Sequence, residues 1–184
     1  MTVLRELAGQ LGTHERTLRR GLADGLLRGR RPTPRSSELA AGEIGYLRAN
    51  WPLLSGLREA LRTERSVRLA VLIGSAARGE LGENSDVDVL VRLAGVDWRA
   101  RDRLRERLSR AAGRPVDLVA LEAAHAAPLL LDAALRDGRV LVDRDDEWPA
   151  LLSARPRVVR AAARAERRLR DELHALVSEL SDDG

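Results

Sequence analysis

Apolar positions recur every three or four residues through the first third of the chain. They change to short β-branched runs near Ser66 and return to helical spacing after Trp148. Leu4, Leu7, Ala8 and Leu11 predict a first short helix that Gly12 stops. Thr13 is placed to cap a second helix from His14 to about Asp24, with Leu18 and Leu22 inward and Arg16, Thr17, Arg19 and Arg20 outward. Gly25 ends it, and residues 29–37 read as a basic, proline-containing connector. Ala40, Ile44, Leu47, Trp51, Leu54, Leu57 and Leu61 predict a helix over 39–63, with a kink or two abutting helices at Pro52.

Val67–Ile73 is a nearly continuous apolar run, which suits a buried strand. Val87–Leu93, Val116–Leu121 and Arg139–Val142 predict three more strands. Between them lie an amphipathic helix over 97–112, broken by Gly113-Arg114-Pro115, and a helix around 123–136. From Trp148 the stripe Val158, Ala162, Ala165, Leu169, Leu173, Leu176 and Leu180 predicts a long final helix whose apolar side either covers the sheet or offers an oligomer or partner surface. The expected architecture is α+β: a mixed sheet with helices mainly on one face, a small helical unit before it and a helix after it. The expected divisions are residues 1–38, 39–65 (a connecting helix), 66–145 and 146–184.

Composition narrows the chemistry. The absence of Cys excludes disulfides, thiolate zinc sites and cysteine nucleophiles. His14, His125 and His174 lie too far apart in sequence for metal-ligand spacing. No apolar run reaches the ~18–20 residues of a membrane span, and MTVLRELAGQ is charged where a secretory leader is apolar. The expectation is a soluble, cytoplasmic protein without a membrane partner. All basic residues are Arg. Residues 16–35 hold seven Arg against one Asp, and residues 155–170 hold seven Arg against one Glu. Such clusters suit phosphate or nucleic-acid contact, and they equally suit solvated helix faces.

The informative stretch is Ile73-Gly74-Ser75-Ala76-Ala77-Arg78-Gly79-Glu80, followed after five residues by Asp86-Val87-Asp88-Val89-Leu90-Val91. Gly74 lets backbone approach a phosphate closely, and Ser75 adds a hydroxyl. Asp86 and Asp88, two apart, project from one face at ~6.5–7 Å spacing along a strand. Two carboxylates on one face repel unless a cation sits between them, and a hard divalent ion, Mg²⁺ or Mn²⁺, is the natural guest. Asp117, between Val116 and Leu118, is a third acid in an otherwise apolar strand. Three such acids could hold two metals ~3.5–4 Å apart, as in-line nucleotidyl transfer uses.

Gly-Ser, a ten-residue gap and Asp-x-Asp inside an apolar strand resemble the signature of the DNA polymerase beta-like nucleotidyltransferase superfamily. The Ala-Arg-Gly-Glu after Gly-Ser and the Ser before the first Asp are similar to its minimal nucleotidyltransferase (MNT) branch. The resemblance covers roughly residues 66–145. It implies that Gly74 and Ser75 hold the triphosphate, that Asp86 and Asp88 bind metal, and that Asp117 is a metal ligand and helps activate the acceptor hydroxyl. Arg78 either approaches the phosphates or pairs with a carboxylate to shape the loop. The implied reaction moves a nucleoside monophosphate, AMP from ATP, to a protein or tRNA acceptor, in the setting of a toxin–antitoxin pair.

Residues 4–22 resemble a helix-turn-helix, although Gly21 stands where its last apolar position belongs. That resemblance implies DNA contacts by Arg16, Thr17 and Arg20 on the second helix and by Arg28, Arg30 and Arg31 on the backbone, with a homodimer if binding is specific. The other reading is a helical unit that packs on the core or docks a partner. Two functions follow: a nucleotidyltransferase, or a DNA-binding regulator that senses a nucleotide with a non-catalytic copy of the fold.

Overall fold

The computed structural model describes residues 3–33, 36–95 and 98–182. Helix α1 (Val3–Gln10) and helix α2 (Glu15–Asp24) bury Leu4, Leu7, Ala8, Leu18 and Leu22. His14, not Thr13, occupies the cap of α2; its backbone is extended and its side chain makes no capping bond. Glu15 stabilises the first turn instead, through its 2.6 Å pair with Arg19 one turn on.

Residues 29–37, expected as a connector, begin a hairpin of β1 (Gly29–Thr33) and β2 (Ser36–Leu39). Apolar alternation is missing there, so no strand is legible. Cross-strand pairing of Arg30 with Glu38 at 2.6 Å supplies part of the register. A Cβ at Gly29 would lie 2.2 Å from the Glu38 carbonyl oxygen, so only glycine permits the approach. The expected division after residue 38 falls inside β2.

Helix α3 (Glu43–Arg62) runs unbroken through Pro52, against the expected kink. Leu47 and Trp51 on one side of the proline and Leu54, Leu57 and Leu61 on the other are all buried in the same apolar cluster. Burial of each such side chain stabilises by about 1.5–3 kcal/mol, which outweighs one missing N–H donor.

The main sheet contains β3 (Val67–Leu72), β4 (Val87–Leu93), β5 (Val116–Ala120) and β6 (Arg139–Asp143), in the order β5-β4-β3-β6. β3 is antiparallel to β4 and β6, and β5 is parallel to β4. The sheet is therefore mixed, and the α+β architecture is as expected. Helices cover both faces, however. Val67, Ala70, Leu72, Val87, Val89 and Val91 face the cluster shared with α1–α3 and with α5 (Trp98–Ala112). Leu69, Val71, Ile73 and Leu90 face a second cluster that contains α6 (Leu121–Ala126) and α7 (Pro128–Asp137). Two-sided cover explains the unbroken apolar run of β3. The single helix expected around 123–136 is two, broken at Ala127 because Pro128 drives the residue before it out of helical geometry.

Between β3 and β4 lies α4 (Gly74–Arg78), and α8 (Glu147–Asp182) closes the chain. The Asp143 carboxylate caps α8, accepting from the Glu147 and Trp148 N–H groups at 3.0 and 2.9 Å. Only the first half of α8 packs. Ala162 is buried, whereas Leu169 and Leu173 are 49 % and 53 % exposed, so the stripe does not cover the sheet along its whole length.

Candidate active site

β3 delivers Ile73 to the turn where Gly74, at φ +67°, begins α4. Gly79, at φ +83°, ends the same short helix. A Cβ at Gly74 would stand 2.5 Å from Asp88 Oδ2, so the glycine leaves room for that carboxylate against the backbone. Ser75 follows, half-buried, and its carbonyl accepts the Glu80 N–H at 2.9 Å.

Asp86 immediately precedes β4, and Asp88 lies within it. Val87 between them is fully buried and donates its N–H to the Pro115 carbonyl at 3.0 Å. Parallel pairing sets Asp88 directly beside Asp117, while Val87–Val116 and Val89–Leu118 register on the opposite face. The sheet thus brings together the three acids singled out in the sequence, with Asp86 and Asp117 exposed and Asp88 half-buried. No side chain among the described residues hydrogen-bonds or pairs with any of the three. Burial raises the Asp88 pKa above the ordinary carboxylate value, and the charges of Asp117 and Asp86 add to the rise.

Among the described residues no three His, Cys, Asp or Glu side chains converge closely enough to hold a metal by themselves. The donor set is nonetheless all oxygen, anionic and uncompensated. Mg²⁺ is commonly held by one or two carboxylates with substrate phosphates completing its shell. The residues fit that kind of ion.

Arg78 donates to Glu80 at 2.7 Å, so here it pairs with a carboxylate at the loop. Three anchoring side chains were not read from the sequence. Arg114 Nη1 donates to the Gly82 and Ser85 carbonyls at 3.0 and 3.1 Å and fixes the turn that presents Asp86. Behind α4, Tyr46 Oη donates to the Ala76 carbonyl at 3.0 Å and Arg139 Nε to the Ala77 carbonyl at 2.8 Å. Arg139 is buried, paired with Glu43 at 2.7 Å, and its guanidinium lies 3.4 Å from the Tyr46 ring centroid. Burial also pushes the Tyr46 hydroxyl pKa up, against the charge of Arg139. A charged Arg opening a strand and a Glu opening a helix were the available signals, but neither shows its partner across ninety-six residues.

The amino-terminal candidates separate. Arg16 and Arg20 are exposed on one side of α2 with the half-buried Thr17, and Arg20 pairs with Asp24 at 3.4 Å. Arg30 pairs with Glu38 across the hairpin. The side chain of Arg31 lies outside the described residues. Arg28 turns inward: its Nη2 donates to the Asp137 carbonyl at 2.5 Å and to the Ala77 carbonyl at 3.3 Å. Two internal carbonyls thus hold Arg28 Nη2, which turns that end of the guanidinium away from the DNA contact expected of it.

The polymerase beta nucleotidyltransferase family matches residues 56–147, half of the chain. The chain belongs to this family. Its matched segment takes in α4, all three acids and the four strands of the main sheet. Among solved structures, a toxin–antitoxin crystallised with AMP-PNP is similar at 24 % identity and TM-score 0.48, over 69 % of this chain and 97 % of that one. The MNT antitoxin in complex with a tri-AMPylated HEPN toxin from Shewanella oneidensis is 22 % identical with TM-score 0.44, over 70 % of this chain and 95 % of that one. No curated protein matches the sequence. No helix among the described residues is long and apolar enough to cross a membrane.

Proposed function

We propose that this nucleotidyltransferase transfers a nucleoside monophosphate, AMP from ATP, to a hydroxyl of a protein or RNA acceptor in a Mg²⁺-dependent reaction. One observation carries the reading: Asp88 lies in register with Asp117, next to Asp86 and against Gly74, with no cationic side chain among the described residues paired to them. Uncompensated carboxylates on one face cost stability, and a site that binds cation and triphosphate is a physical reason to retain them.

Gly74 and Ser75 present backbone and a hydroxyl to the triphosphate, and the Arg78–Glu80 pair shapes the loop behind them. Asp86 and Asp88 supply the metal-ligand oxygens. Asp117, exposed on the outer strand, takes the proton of the acceptor hydroxyl as its oxygen attacks the α-phosphorus. The bond from that phosphorus to the bridging oxygen breaks, and pyrophosphate leaves. A divalent ion held by Asp86 and Asp88 would supply charge neutralisation during the transfer. The catalytic unit of this reading is residues 66–145. The Ala-Ala-Arg-Gly-Glu run after Gly74-Ser75 and Ser85 before Asp86 support the minimal branch and hence a toxin–antitoxin setting.

The test is label transfer from each α-³²P nucleotide, with Mg²⁺ or Mn²⁺, to cell lysate and total tRNA, with Asp86→Asn alongside. Label that depends on Asp86 supports the enzyme. Nucleotide binding without transfer under any condition would replace it with a nucleotide sensor.

A further inference from the structure

The side of α2 that carries Arg16, Thr17 and Arg20 does not stand free. It forms one wall of a groove of about 1510 Å³. The second wall is α3 along Ser55, Arg58 and Arg62, and the third is the passage from β6 into α8 near Trp148.

We propose that this groove binds a single nucleic-acid strand through its phosphodiester backbone. The cations in it are Arg, whose planar fork matches phosphate. Several are already engaged. Arg62 pairs with Glu59 at 2.9 Å, Arg20 with Asp24 at 3.4 Å, and Arg144 donates to backbone carbonyls at the end of α3. Arg16 and Arg58 make no hydrogen bond or ion pair among the described residues. Arg58 is half-buried, and that burial pulls its pKa below the ordinary arginine value, with Asp24 opposing the shift and Arg20 adding to it. A half-buried guanidinium with no hydrogen-bond acceptor among the described residues is costly in the free protein and is relieved by an anion. The indole N–H of Trp148 is a further donor in the same groove without a partner among the described residues.

Size and shape select a strand. The volume exceeds the ~300–1,000 Å³ typical of sites for one small ligand. A duplex read by a helix needs that helix to enter a groove ~12 Å wide, whereas this side of α2 faces α3 and β6. A strand laid along basic side chains in a groove is the arrangement that single-strand binding uses. The inference does not depend on nucleotidyl transfer, so failure of either reading leaves the other standing.

The test is fluorescence anisotropy of labelled 12-nucleotide single strands, RNA and DNA in separate arms, with the matching duplex as competitor, at several salt concentrations. Arg16→Ala with Arg58→Gln is expected to weaken binding about tenfold at low salt. It should also reduce the slope of log K against log salt by about 1.4, at ~0.7 per contact on a single strand. Arg136→Ala, on α7 and outside the groove, is expected to bind as wild type. RNA or DNA preference then identifies the source of the strand. If Arg58→Gln lowers the folded fraction by circular dichroism, the exposed pair Arg16→Ala and Arg20→Glu gives the same readout. Undiminished binding by these variants, a duplex that outcompetes the single strand, or no binding at low salt would each overturn the proposal.

Discussion

Replacing Asp88 by Asn is expected to stabilise the protein while abolishing transfer. Asp88 stands one strand spacing, ~4.8 Å, from the backbone of Asp117. Taking the strand spacing for the separation of the two carboxylates, like charges repel by about 0.9 kcal/mol in water and about 3.5 kcal/mol at an effective dielectric of 20. Asp88 is half-buried and its acidic neighbours are exposed, so solvent screening holds the gain near the lower figure, about 1 kcal/mol. In a domain of this size that raises Tm by about 2–4 °C. The sign with pH follows from the raised Asp88 pKa. The native state takes up the proton more readily than the unfolded chain, so native stability gains as pH falls through the raised value. The advantage of Asp88→Asn is therefore present at neutral pH and closes in acid. Thermal melts across pH measure it. Added Mg²⁺ should raise the melting temperature of the wild type and leave the variant unmoved. If Asp88→Asn melts below wild type at neutral pH, the carboxylate is held by the fold and the account of an uncompensated site fails.

Glu43→Gln leaves the buried Arg139 charge unbalanced and should cost about 3–5 kcal/mol, seen in chemical denaturation; Glu43→Leu with Arg139→Met should recover most of it. Gly74→Ala places a side chain at φ +67° and against Asp88, so it should lower stability by about 1–2 kcal/mol and also reduce transfer. Arg78→Ala breaks an exposed pair and should change stability by less than about 1 kcal/mol. If the pair shapes the nucleotide loop, Arg78→Ala and Glu80→Gln should raise the nucleotide KM to the same extent.

The acids were legible because an Asp in an apolar strand is conspicuous on local grounds alone. Their convergence depended on the order of strands, and the parallel register of Asp88 with Asp117 is a property of the sheet. The four strands announced themselves by apolar runs between charged turns. The hairpin at 29–39 did not, since Gly29 and the Arg30–Glu38 pair make it through backbone approach and cross-strand charge rather than alternation. Pro52 misled because local backbone preference was outweighed by burial on both sides of it. The stripe on α8 predicted a helix correctly and its cover wrongly: periodicity shows which side is apolar, not how far the sheet extends beneath it. Arg28 and Arg139 illustrate the same limit for charge. Arg28 read as an outward cation and Arg139 only as the start of a strand, and both are anchors for the carbonyl end of α4.

The most direct test of the central claim is transfer of α-³²P label by the purified chain with Mg²⁺ and an acceptor mixture, read beside Asp86→Asn and Asp88→Asn. Label on an RNA or protein acceptor from ATP, absent in both variants, is the result expected. Label that persists in both variants would remove the acids from the chemistry. Bound nucleotide with no label under any condition would contradict catalysis itself.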